Sequence, residues 1–87
     1  MEEFKSRAEC RGDAESFQQL LSIADPEATL DITPDEGGFP DVDIAISSNL
    51  SLDELRAILR GVTDGHVMLQ TIQSSSQYTG ERNYGLE

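Results

Sequence analysis

The sequence predicts an α+β sandwich, and three observations carry the prediction. Residues 3 to 10 alternate without exception, with Phe4, Ser6, Ala8 and Cys10 on one side and Glu3, Lys5, Arg7 and Glu9 on the other. A period of two marks a half-buried strand. The segments around Leu30 and Ile44 repeat that period, whereas residues 14–24 and 52–62 place their apolar side chains at helical spacing.

The first segment could also be read as helix, because Glu, Lys, Arg and Ala all favour one. The unbroken charged-outward alternation decides for a strand over Glu3 to Cys10. Arg11-Gly12 breaks the pattern, and Asp13 is placed to cap a helix. Ala14, Phe17, Leu20, Leu21 and Ala24 form that helix's apolar stripe, which Asp25-Pro26 stops. Ala28, Leu30 and Ile32 alternate with Thr29, Asp31 and Thr33 as a second strand. Pro34 to Pro40 is a turn by composition, and Val42, Ile44 and Ile46 make a third strand, so that the two read as a hairpin. Ser51-Leu52-Asp53-Glu54 is a capping box, flanked by Leu50 and Leu55 as a hydrophobic staple. It opens a helix with the stripe Leu52, Leu55, Ile58, Leu59, Val62. Asp64-Gly65 turns the chain into a fourth strand over His66 to Gln73, with Val67 and Leu69 inward.

This order, βαββαβ, is that of a ferredoxin-like sandwich: a four-stranded antiparallel sheet with two helices on one face. The first and third strands would be central neighbours, which sets Lys5 and Arg7 beside Asp41 and Asp43. A helical first segment would instead give αββαβ with a three-stranded sheet. With 87 residues the chain is one domain with a thin core. It is expected to span residues 1–73, with 74–87 as a polar tail or an added hairpin.

Charge is polarised along the chain. Between Gly12 and Leu55 there are eleven Asp or Glu and no Lys or Arg, and the net charge is -11. Such a surface repels nucleic acid and anionic lipid and attracts basic protein surfaces. Nucleic-acid binding on the open sheet face is further disfavoured because that face carries no aromatic residue to stack on bases. No run approaches the roughly 18 apolar residues of a membrane span. The N-terminal Met1-Glu2-Glu3-Phe4-Lys5 does not read as a signal peptide. With one cysteine there is no internal disulfide, and a cytoplasmic setting is expected.

No constellation carries catalytic chemistry. Cys10 reads as a small inward hydrophobe, and the single histidine, His66, as a solvated or capping residue. Asp31, Thr33 and Asp35 have the alternation of a calcium loop, but Glu36 stands where that loop needs glycine. No catalytic, cofactor-binding or metal-binding residue is expected, and the chain reads as a non-enzyme. The candidate contact residues for a basic partner are Asp31, Asp35, Glu36, Asp41 and Asp43. Met68 and Ile72, outward if Val67 and Leu69 point in, would join Tyr78 in an exposed strip suited to self-association as a homodimer.

In size and in its run of acids the chain resembles the small acidic inhibitors of mobile elements, such as anti-CRISPR proteins, and bacterial immunity and antitoxin proteins. The resemblance is one of composition, without a motif that transfers residue by residue. It implies stoichiometric blockade of a basic, nucleic-acid-handling protein. The alternative is a small structural or self-associating domain whose acids keep it soluble.

Overall fold

Two central strands, Glu2–Ala8 and Val42–Ser48, organise the molecule and turn alternate side chains toward the core. The computed structural model describes residues 1–34, 37 and 40–77. Its elements in order are β1 (Glu2–Ala8), α1 (Arg11–Ala24), β2 (Thr29–Pro34), β3 (Val42–Ser48), α2 (Leu52–Arg60), α3 (His66–Thr71) and β4 (Gln73–Ser74). The fold is α+β, and the described residues form a four-stranded antiparallel sheet in the order β2-β3-β1-β4 and three helices. Among the described residues no helix is long and apolar enough to cross a membrane.

β1 is a strand, as its alternation predicts, and it lies between β3 and β4. The rival three-stranded arrangement falls with it. Phe4, Ser6 and Ala8 point into the core, opposite Ile46, Ile44 and Val42 of β3. The strand stops at Ala8, short of the expected Cys10. Cys10 is exposed and takes the N-cap position of α1, which corrects its reading as a buried hydrophobe. Asp13, expected as the cap, lies in the helix's first turn, where its charge still complements the helix dipole.

α1 buries Ala14, Phe17 and Leu21, and Asp25-Pro26 ends it where the sequence indicates. Leu20 and Ala24 were expected on the buried stripe but lie on its exposed flank, beside the 79%-exposed Ile23. α2 packs Leu55 and Leu59 into the same core, joined by Val62 just past its end, with Leu52 and Ile58 partly buried at the margin. Its capping box is formed in both directions. Ser51 Oγ accepts from the Glu54 amide at 3.2 Å, and Glu54 Oε1 accepts from the Ser51 amide at 3.0 Å. Ser51→Ala should therefore lower stability by about 0.5–2 kcal/mol, while Ser51→Asp, which keeps an acceptor, should retain most of it. Urea melts of the two variants check this.

The fourth strand is the main departure. Residues 66–71 form α3, and only Gln73–Ser74 join the sheet, opposite Lys5 and Phe4. The turn before α3 explains the change. Asp64 adopts a left-handed φ of 61°, and a Cβ on Gly65 would come within 3.0 Å of the Leu59 carbonyl oxygen. Glycine at 65 leaves room for this close approach, which a side chain would crowd. Helical spacing then sets Met68 and Ile72 one turn apart, and both are fully buried. The exposed strip expected of Met68 and Ile72 is not formed, and Tyr78 lies outside the described residues.

Thr71 takes over the bonding that a longer fourth strand would have supplied to β1. Its Oγ1 accepts from the Arg7 amide at 3.0 Å and lies 3.3 Å from the Arg7 carbonyl oxygen. Ser6 Oγ, buried beside it, donates to the Met68 carbonyl at 3.0 Å. Beyond β4 the Ser75 amide donates to the Glu3 carbonyl at 2.9 Å, so the sheet engages residues past position 73.

Candidate protein interaction surface

Among the described residues the helices lie on one face of the sheet and none lies on the other. Register places the open-face side chains in three rows: Glu3–Ser47–Thr29, Lys5–Ala45–Asp31 and Arg7–Asp43–Thr33. None of these nine residues is aromatic, so the described face offers no stacking platform for bases.

Arg7 departs most from its expected setting. It faces away from the core, yet it is only 5% exposed. A guanidinium so enclosed needs compensating negative charge close by. Asp43 Oδ1 lies 2.9 Å from one terminal nitrogen and Asp41 Oδ2 lies 3.8 Å from the other. Two of the five candidate contact residues, Asp41 and Asp43, thus converge on an internal cation. Lys5, expected beside the same pair, stands opposite Ala45 instead. A depression of about 410 Å³ lies here, lined by Lys5, Ser6, Arg7, Thr33, Asp43, Ile44 and Ala45. Asp31 is exposed on β2, while Asp35 and Glu36 lie outside the described residues.

Away from this face the acids remain on the surface. Glu15, Glu27, Asp31 and Glu54 are exposed, and among the described residues none of these four lies within ion-pair distance of a cation. Asp53 has Arg56 at 3.8 Å, one turn along α2. Exposed pairs of this kind contribute little.

Asp25 is the exception among the acids, and its role is structural. It is 7% exposed at the end of α1. Its Oδ2 accepts from the Asn49 amide and from Ser48 Oγ, both at 2.9 Å, and its Oδ1 accepts from the Glu27 amide at 3.2 Å. The last is an Asx-turn that carries the chain round Pro26. The other two fasten α1 to the junction between β3 and α2. The Asn49 amide first, then the Ser48 hydroxyl, hold the carboxyl below its ordinary value against the opposing effect of burial.

A depressed folded-state value gives a signed expectation. The stability Asp25 contributes should be fully present above the ordinary aspartate range, near pH 4, and lost as pH falls through the depressed value. The gap in urea midpoint between the wild type and Asp25→Asn should therefore be constant from pH 7 to about 5 and narrow below about 4. A gap unchanged down to pH 2 would contradict the assignment.

The remaining candidates stand apart. His66 Nε2 lies 2.8 Å from Glu9 Oε1, with both side chains well exposed. This contact ties the start of α3 to the segment after β1, and the pattern of the sequence did not reveal it. Among the described residues no three His, Cys, Asp or Glu side chains gather as a metal site requires. Neither family models, nor curated proteins, nor solved structures give a match to this chain.

Proposed function

We propose that this chain is a non-enzymatic acidic protein that docks on a basic surface of a nucleic-acid-handling protein and blocks it, in the manner of anti-CRISPR, immunity or antitoxin proteins. One observation carries the reading. The stretch from Gly12 to Leu55 supplies acids without a single Lys or Arg, and the cation brought to it from β1, Arg7, is taken up by Asp41 and Asp43. Glu15, Glu27, Asp31 and Glu54, exposed and away from any described cation, keep their field for an outside partner. An ordinary solvated surface mixes both signs; a one-sign surface steers oppositely charged proteins toward it.

A basic site that handles nucleic acid would meet this protein as a competitor of its natural polyanion. Its proposed setting is the cytoplasm. The strand order, read from the other edge as β4-β1-β3-β2, supports a ferredoxin-like sandwich with α3 inserted ahead of a shortened last strand.

Competition tests the proposal. Host-lysate proteins are captured on the immobilised chain at low ionic strength and then eluted with short duplex DNA or with salt. The expected result is elution of a nucleic-acid-handling protein by both. Retention of every captured protein through DNA and 1 M salt would overturn the reading.

A further inference from the structure

β2 forms one edge of the sheet, and among the described residues nothing pairs with its outer side. Which main-chain groups face outward follows from alternation across the sheet. The Arg7 amide and carbonyl face Thr71 Oγ1, and the Glu3 carbonyl accepts from Ser75. Residues 3, 5 and 7 thus turn their main-chain groups away from β3, and Phe4, Ser6 and Ala8 turn theirs toward it. In an antiparallel ladder, opposite residues either exchange both bonds or neither. The register Phe4↔Ile46, Ser6↔Ile44 and Ala8↔Val42 therefore leaves residues 43, 45 and 47 to bond across to Thr33, Asp31 and Thr29. What remains for the outer edge is the N–H and C=O of Leu30, the N–H and C=O of Ile32, and the C=O of Pro34, which has no N–H.

This edge carries little of the protection that exposed edges usually have. Edges are commonly blunted by lysine, by a bulge or by proline. Here Pro34 closes one end, and the one charge on the strand is Asp31, centred on the open face between Leu30 and Ile32. On the opposite face Leu30 is 8% exposed and Ile32 is partly buried at the margin of the core.

We propose that the outer edge of β2 takes up an extended basic segment of the partner by strand addition. The segment sets apolar residues beside Leu30 and Ile32 and a Lys or Arg beside Asp31. This rests on the reading that the partner is basic, and it adds where and how that partner is held. Main-chain bonds would supply the affinity, and the alternating side chains the selectivity. Opposite charges across adjacent strands are favourable, and like charges are not. A second copy of this chain is the poorer occupant. The two-fold register that engages every outward group of Leu30 and Ile32 sets one Asp31 directly against the other, with Cα atoms about 4.5 Å apart. Each chain also carries a net charge of -11.

The test uses a fluorescein-labelled Lys-Val-Lys-Val-Lys peptide, the same peptide N-methylated at both valines, and a Glu-Val-Glu-Val-Glu control, each titrated against the full chain at low ionic strength. The expected result is binding of the unmethylated basic peptide at least ten-fold tighter than either of the others. Amide exchange at Leu30 and Ile32 should slow on binding. Ile32→Pro removes one outward N–H without touching the ladder to β3, and should lower the affinity to that of the methylated peptide. Equal binding of both basic peptides, with exchange at Leu30 and Ile32 unchanged, would overturn strand addition while leaving charge attraction to a basic partner intact. Failure of the basic peptide to bind would overturn it too, and the DNA-competition capture then judges the basic-partner reading separately. Protection of the two amides by dimerisation without peptide, read by sedimentation, would assign the edge to a second copy and overturn the proposal.

Discussion

Met68→Lys is expected to remove more than about 4 kcal/mol of stability, enough to abolish most of the cooperative unfolding transition at pH 7. Met68 is fully buried between α3 and the sheet, and Ser6 Oγ holds its carbonyl in place. A lysine there would strand an ammonium among Phe4, Leu59 and other core residues, with no carboxylate designed to meet it. A domain of this size has roughly 4–13 kcal/mol to lose, at about 0.05–0.15 kcal/mol per residue. Burial lowers the lysine's folded-state pKa below its unfolded value. The deficit against the wild type should therefore shrink as pH rises toward about 10. Were residue 68 on an exposed edge strand, as alternation suggests, the substitution would fall within about 0.5 kcal/mol of neutral. Urea melts at pH 7 and pH 10 separate the two cases.

Leu55→Ala should cost about 2–5 kcal/mol. Leu55 is fully buried on the inner face of α2, in the cluster shared with Phe17, Leu21 and Ile44. Removing its branched end loses the transfer energy of the deleted carbons and leaves a cavity that the sheet cannot close. The internal control is Ile23→Ala, at an equally apolar but 79%-exposed position on α1, which should change the urea midpoint by no more than about 0.5 kcal/mol equivalent. Similar losses at the two positions would contradict the core described above.

What the sequence made legible follows from how many residues repeat a pattern. β1, β3 and α2 each show a long period or an explicit cap, and each forms within two residues of its expected bounds. Residues 66–71 misled because a run of six fits both periods: Val67 and Leu69 suggest alternation, while Met68 and Ile72 share a helical face. What separates them is tertiary: the helix buries Met68 and Ile72 together in the core. Arg7 was placed on the correct face, but its enclosure was not legible, because alternation gives a side chain's direction and not what covers it. Cys10 followed the strand's pattern by one step too many; the α1 N-cap begins where that pattern ends. Of the candidate contact residues, Asp31 is exposed as expected, and Asp41 and Asp43 lie beside Arg7, an interaction that depends on register and not on spacing along the chain.

Charge reversal on the acidic hairpin, read against salt, tests the basic-partner claim most directly. Asp31→Lys combined with Asp35→Lys and Glu36→Lys keeps Asp41 and Asp43, the two carboxylates beside Arg7, in the chain. The measurement is the affinity of the captured partner for the wild type and for this triple variant between 0.1 and 1 M salt, where the Debye length contracts from ~10 Å to ~3 Å. The account predicts that wild-type affinity falls steeply over this range, chiefly through a slower association rate. It also predicts that the variant binds at least about ten-fold more weakly at 0.1 M, with a shallower salt dependence. Equal affinity of both proteins, with a flat response to salt, would show that the acids serve solubility alone and that the contact is made elsewhere.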